Sequence, residues 1–230
     1  PGIISAVSSF LFNNNFNILE SSQFKDSKNS LFFMRVSFTS IKSAYKQSSE
    51  TKLSEKFRNI SLTYKMQYKF FNMSKKQRIL LMVSKFGHCL NNILYQWKSG
   101  TIRADIPVIV SNHKNMKEIV EPYGIKYLYL PINKKNKAVQ ENKLLKIVKK
   151  NNIDVIILAR YMQVLSSKLC NSMEGKIINI HHSFLPSFKG ARPYNQAFEK
   201  GVKIIGATAH YVTKELDEGP IIEQDTQEVD

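Results

Sequence analysis

Four short runs constrain this chain more than anything else in it: ILLMV at 79–83, IPVIV at 106–110, VIIL at 155–158 and IINI at 177–180. They are apolar at almost every position rather than at alternate ones. A strand with one face in water alternates apolar and polar residues, whereas a strand apolar throughout is covered on both faces. Between the runs lie segments of helical spacing, as where Leu90, Ile93, Leu94 and Trp97 stand at i, i+3, i+4 and i+7. Strand and helix in alternation predict an α/β architecture with a mostly parallel, doubly wound sheet. On such sheets ligands bind beyond the carboxyl ends of the strands.

The residues before that region follow a different order. Ile4, Val7 and Leu11 predict a helix that Asn13, Asn14 and Asn15 end. Strands are expected at 16–24 and 31–38 around a polar turn at 25–30. A helix is expected at 45–60 with Leu53, Phe57 and Ile60 on one face, and a strand at 62–71, where apolar positions alternate. That order is a βαββαβ sandwich lacking its first strand. Residues 73–77 read as a polar linker. Further strands are expected at 127–130, 202–212 and 221–229, and helices at 87–97, 116–123, 139–149 and 193–199, the last opening with Pro193. The division is therefore a smaller α+β module at 1–72 and an α/β module at 78–230.

Lys and Arg number 34 against 18 Asp and Glu, a net charge of +16. That balance suits nucleic acid, a membrane surface or an anionic small molecule. The lysines are scattered, and the denser runs at 134–137 and 146–150 fall in a polar loop and at a helix end, where solvated faces are the ordinary outcome. The expectation is an anionic small molecule, with no nucleic acid and no membrane as partner. No apolar run reaches the roughly 18 residues of a membrane-spanning helix. Cys89 and Cys170 are too few for a disulfide framework, and neither sits in a C-x-x-C. A reducing compartment follows: the cytoplasm, or an organelle lumen if a targeting segment precedes Pro1.

The chemistry concentrates in two stretches. In IINIHHSFLP at 177–186 an apolar strand delivers Asn179 and His181, two apart and so on one side. The amide of Asn179 donates without titrating; the imidazole of His181 donates and exchanges a proton near neutrality. Such a pair suits a carbonyl that becomes an oxyanion. GATAHYVTKELDEGPII at 206–222 adds one carboxylate, Asp217, before a Gly-Pro turn between two apolar strands. Amide, imidazole and carboxylate read together as a site for acyl chemistry. Singly, each has an ordinary reading: Asn179 as a strand end, His181 as a satisfied half-buried histidine, Asp217 as a turn residue. His182 is one residue out of phase and is expected to point elsewhere. A metal site on His181 and His182 would lack i, i+4 spacing and supporting ligands, so no metal is expected.

Residues 78–230 resemble the formyltransferase-like family that uses 10-formyltetrahydrofolate, through LARYMQVLS at 158–166, NIHHSFLP at 179–186, GARPYNQA at 190–197 and the segment 206–224. Residues 1–72 resemble ACT domains, small regulatory βαββαβ modules, through PGII at 1–4 and FFMRVSF at 32–38. An ACT-like module followed by a formyltransferase-like one resembles the formyltetrahydrofolate deformylase family, as do His181-His182 and KFGHCL at 85–90. Against that pattern the chain looks truncated at both ends.

The resemblance implies hydrolysis of 10-formyltetrahydrofolate to tetrahydrofolate and formate. Asn179, His181 and Asp217 match the family's catalytic trio, with Asp217 activating water and Asn179 and His181 stabilising the oxyanion. Leu158, Met162, Gln163, Val164 and Leu165 match the loop that receives the pterin ring, and His210 neighbours the carboxylate. The folate is substrate, and no cofactor is implied. The ACT-like module implies an amino-acid effector and a homo-oligomer. Two alternatives stay open. One is formyl transfer to glycinamide ribonucleotide, although its Gly-rich phosphate cradle is poorly matched by SKFGH at 84–88, with one glycine. The other is a non-catalytic protein that senses folate or an amino acid. A relation to methionyl-tRNA formyltransferase fits less well, because that enzyme lacks the leading module.

Overall fold

The computed structural model describes residues 2–41, 49–190 and 192–229 and resolves the chain into two units, Pro1–Lys75 and Lys76–Asp230. In the first unit, α1 (Ile3–Asn13) ends where the asparagines stand: Asn14 Nδ2 caps the carbonyl of Phe10 at 2.8 Å, and Asn15 turns left-handed at φ 61°. An antiparallel hairpin follows, β1 (Phe16–Asp26) and β2 (Leu31–Ser40), with a register shift between Ile18 and Glu20. The carboxylate of Asp26 closes the turn by accepting from the backbone of Lys28 at 2.9 Å. The helix α2 (Ser49–Thr63) completes the unit. Of the helix expected at 45–60, residues 45–48 lie outside the described residues, and the described part runs on to Thr63.

The strand expected at 62–71 is absent, so the described part of the unit holds two strands rather than three. Leu62 and Thr63 finish α2, Lys65 reverses the chain at φ 52°, and residues 66–72 pair with no strand. The alternation that suggested a strand is real but serves contacts with the rest of the unit rather than a ladder. Tyr68 and Phe70 both set their rings edge-on to Phe57, at 4.9 and 5.7 Å, and Met66 and Phe70 pack against the core of Phe10, Leu11, Phe16, Leu53 and Phe57. A period of two reports which side chains turn inward, not whether a neighbouring backbone is there to bond.

The second unit is the expected mostly parallel α/β sheet. Its elements are β3 (Gln77–Val83), α3 (His88–Lys98), β4 (Ala104–Ser111), α4 (Lys117–Val120) running into a 3-10 turn at Glu121–Tyr123, β5 (Lys126–Tyr129), α5 (Lys137–Lys150), β6 (Val155–Leu158), α6 (Ser167–Ser172), β7 (Ile177–His181), α7 (Pro193–Glu199), β8 (Ile204–Tyr211) and β9 (Ile221–Glu228). The seven strands lie in the order β5-β4-β3-β6-β7-β8-β9, parallel from β5 to β7 and antiparallel from β7 through β9. Pro107 cannot donate to a ladder, and the sheet accommodates it: the register shifts between Arg78 and Leu80, and pairing with β5 starts only at Val108. Leu80, Met82, Val110 and Ile156 face one cluster, while Leu81, Val83 and Ile109 face another. This two-sided burial is what the unbroken apolar runs require. The short helix α6 was not expected. Its cue is Ser166, whose hydroxyl accepts from the Leu169 backbone at 3.3 Å as an N-cap.

Candidate active site

The strand β7 runs between β6 and β8, and its register sets the site. Asn179 lies opposite Leu158 on one side and His210 on the other, and His181 lies opposite Thr208. Asn179 and His181 therefore turn the same way at the carboxyl end of a buried strand. The hydroxyl of Thr208, with no exposure at all, donates to the carbonyl of Ser183 at 2.7 Å and accepts from the Leu185 backbone at 3.1 Å. Gln224 on β9 adds a bond from Nε2 to the Leu185 carbonyl at 2.8 Å. These bonds tie down the chain leaving β7. It returns to His181, whose Nε2 lies 3.3 Å from the carbonyl of Phe188 and donates to it.

Asp217 arrives from the loop between β8 and β9. A side chain on Gly219 would run into the Tyr211 carbonyl, so only glycine lets this turn close, and Tyr211 then donates to Pro220 at 2.9 Å. Asp217 itself is left-handed, at φ 55°, a conformation that costs an aspartate about 1 kcal/mol or more. The strain aims a buried carboxylate at β7. Its Oδ2 accepts from the Gly190 backbone at 2.9 Å and lies 3.7 Å from His181 Nδ1; its Oδ1 lies 3.7 Å from His210 Nε2.

These contacts fix proton positions. His210 Nδ1 lies 3.0 Å from the carbonyl of Tyr211, so it carries the hydrogen and donates. Nε2 is then bare and accepts from Asn179 Nδ2 at 3.2 Å. Burial lowers the His210 pKa below the usual imidazole value, which agrees with a neutral ring. A bare Nε2 has nothing to give Asp217 Oδ1, so that approach is neither an ion pair nor a hydrogen bond. Among the described residues nothing hydrogen-bonds Oδ1, which keeps lone pairs for a water molecule. Asn179 likewise spends one amide hydrogen on His210 and keeps the other for an incoming oxygen.

All nine residues singled out from the sequence line one cavity of about 290 Å³: Leu158, Met162, Gln163, Val164, Leu165, Asn179, His181, His210 and Asp217. Met162 and Val164 are half exposed, an apolar lip at its mouth. Ser84, at the end of β3, pins this lip from behind. Its hydroxyl accepts from the Met162 backbone at 3.0 Å and donates to Asn112 Oδ1 at 2.7 Å.

The expectation for His182 is corrected. It lines the same cavity, because β7 ends at His181 and strand phase ends with it. Its ring stands 5.6 Å from that of His181 and 5.5 Å from that of Tyr194. Burial first, then the charge of Arg160, pushes its pKa down to about 4, so it is a neutral wall. Arg160 and the backbone of Gly190 also line the cavity and were not foreseen. Neither a left-handed arginine nor a backbone donor leaves a mark in residue spacing. Among the described residues no group of three or more His, Cys, Asp or Glu is placed to hold a metal ion. No described helix is long and apolar enough to cross a membrane.

Comparison with known proteins follows the same outline. The model of the family described as formyl transferase matches residues 77–230. A formyltetrahydrofolate deformylase of Bacillus subtilis (strain 168) is 45% identical over 231 residues, spanning 100% of this chain and 76% of its own. The crystal structure of a formyltetrahydrofolate deformylase from Pseudomonas syringae superposes with a TM-score of 0.93 at 41% identity, covering 99% of this chain and 76% of that one. A glycinamide ribonucleotide transformylase from Symbiobacterium toebii is less similar, with a TM-score of 0.64 and 29% identity over 71% of this chain and 78% of its own.

Proposed function

The chain belongs to the formyl transferase family, among its formyltetrahydrofolate deformylases, and we propose that it hydrolyses 10-formyltetrahydrofolate to tetrahydrofolate and formate through Asn179, His181 and Asp217. One observation carries the assignment of roles: Asp217 Oδ1, to which nothing hydrogen-bonds among the described residues, shares a cavity with an amide that has an N–H to spare. Water held by Oδ1 adds to the formyl carbon while the carboxylate takes its proton. The electrons of the C=O bond move to oxygen, where the free N–H of Asn179 and protonated His181 receive them. The C=O then re-forms, the C–N bond to the folate breaks, and His181 passes its proton to the departing nitrogen. Asp217, 3.7 Å from His181 Nδ1, returns the water's proton to the imidazole. Formic acid leaves as formate, its proton going to solvent.

The apolar lip of Met162, Val164 and Leu165 suits the flat face of a pterin, with backbone groups left to read its edge. The chemistry asks for no cofactor beyond the folate substrate itself. The first unit is assigned as an ACT-like regulatory module that takes an amino acid and pairs with a second copy. Its α-β-β-α order supports this, as do Leu19, Phe24, Leu31 and Phe33, exposed on the hairpin. Two free cysteines, Cys89 and Cys170, suit a reducing compartment such as the cytoplasm.

Product analysis tests the reaction. Recombinant protein given 10-formyltetrahydrofolate should release formate and tetrahydrofolate one for one. If glycinamide ribonucleotide, when added, takes the formyl group faster than formate appears, the chain is a transferase.

A further inference from the structure

The sheet has a second place where a ligand would be expected. From β3 the chain moves outward to β4 and β5, then returns to the other side of β3 with β6. The order reverses between β3 and β6, and on open α/β sheets the crevice beyond the strand ends at such a point is the usual binding place. Here two side chains meet across that crevice. Arg160, just past β6, lays its guanidinium over the ring of Phe86, just past β3, with the central carbon 5.2 Å from the ring centroid.

Arg160 is held there by its backbone. It is left-handed, at φ 58°, where glycine is the default residue. Its carbonyl accepts from the Ser84 backbone at 3.2 Å, and two residues on, the Met162 backbone donates to the Ser84 hydroxyl at 3.0 Å. Its Nε is buried with no hydrogen-bond partner among the described residues. A surface arginine placed for solvation would keep that atom wet, so the side chain is committed to filling space. It also lines the cavity of Asn179, His181 and Asp217, so it borders both the crevice and that cavity.

We propose that Arg160, stacked on Phe86, determines which nucleophile reaches the formyl carbon: it occupies the space through which an amine substrate would enter and leaves room for water. The inference rests on the hydrolase reading above. An amine that gained entry would react by the same electron flow. Its nitrogen would bond to the formyl carbon, the C–N bond to the folate would break, and the amine's lost proton would replace the one given to the folate nitrogen. No other reactant is required.

The test is a partition ratio. The full chain, Arg160→Gly and Phe86→Ala are each given 10-formyltetrahydrofolate with increasing glycinamide, a small primary amine, and N-formyl product is measured against formate. Glycine adopts the conformation at 160 without strain, and the ratio does not depend on how much enzyme is folded. The unaltered chain should yield formate alone. Arg160→Gly should raise the share of N-formyl product by about tenfold or more, the scale on which pocket shape discriminates, and Phe86→Ala should raise it less. An unchanged ratio in Arg160→Gly overturns the proposal. So does loss of all turnover in Arg160→Gly with an unchanged ratio in Phe86→Ala, since Arg160 would then serve the chemistry. Failure of the unaltered chain to release formate refutes the hydrolase reading instead.

Discussion

The two units use burial in opposite ways. In Pro1–Lys75 the core is Phe10, Leu11, Phe16, Leu53 and Phe57, extended by Phe38 and Phe70 and knit by edge-on ring contacts such as Phe10 to Phe57 at 5.0 Å. Ser61 is the one buried polar residue among that unit's described residues, and its hydroxyl is satisfied by the Arg58 carbonyl at 2.7 Å. In Lys76–Asp230 the interior also holds His181, His210, Asp217, Thr208, Ser183, Ser84 and Asn112. A buried polar group destabilises a fold unless it is bonded. Thr208, Ser84 and Asn112 are bonded and position loops. Among the described residues nothing bonds Asp217 Oδ1, and its residue is backbone-strained as well. On the proposed reading, that oxygen is kept for the reacting water.

Two substitutions separate these uses. Asp217→Asn keeps the shape and removes the proposed base. It should lower kcat roughly a thousandfold, about 4 kcal/mol, a loss expected when a positioned base and its charge go together. Folate affinity, read by equilibrium binding, should stay within about threefold, because the proposal gives the residue to the reacting water rather than the ring. Equal losses in turnover and affinity would make Asp217 a binding residue and erase the contrast. Phe57→Ala should do the reverse. It removes the ring on which Phe10, Tyr68 and Phe70 converge and should cost about 3 kcal/mol in urea unfolding. Its kcat, measured where the protein is still folded, should change less than about twofold. A Phe57→Ala enzyme that folds but turns over as poorly as Asp217→Asn would mean that the first unit's core takes part in catalysis.

What the sequence made legible follows the same division. The strands Val155–Leu158 and Ile177–His181 could be read to the residue, because a strand covered on both faces writes its length as an apolar run. That register brought Asn179 and His181 to one side, and the Gly219-Pro220 turn announced the loop of Asp217. Residues 62–71 misled because Tyr68 and Phe70 alternate to reach Phe57, with no strand beside them. His182 was sent to the wrong face because strand phase was extended one residue past the strand. Arg160 was invisible for a deeper reason: its placement depends on a positive φ and on the Ser84 bonds, which are tertiary facts. Pattern reads which residues are inside; it does not read where a loop turns.

The smallest effect concerns His182, which belongs to the reactive interior without a hydrogen bond to the trio. Its pKa is pushed from 6.5 to about 4 by burial, by the charge of Arg160 and by His181 and His88, with Asp217 opposing. The unfolded chain therefore binds a proton there between about pH 6.5 and pH 4 that the folded chain refuses, and stability must fall with acid across that window. Above it the ring is neutral in both states and contributes no slope. One pKa unit corresponds to about 1.4 kcal/mol; because the ring is only half buried, solvent screening reduces the expected total to about 1–2 kcal/mol. Urea unfolding of the unaltered chain and of His182→Asn, followed from neutral pH down toward about 4.5, should give a shallower acid loss in the variant. Loss of the Tyr194 contact shifts the variant's stability equally at every pH, so the slope isolates the proton. The slope does not vanish, because burial lowers the His210 pKa too and contributes with the same sign. Identical slopes in the two proteins would mean that His182 is solvated as freely as a ring on the first unit's surface, and the reactive interior would end at His181.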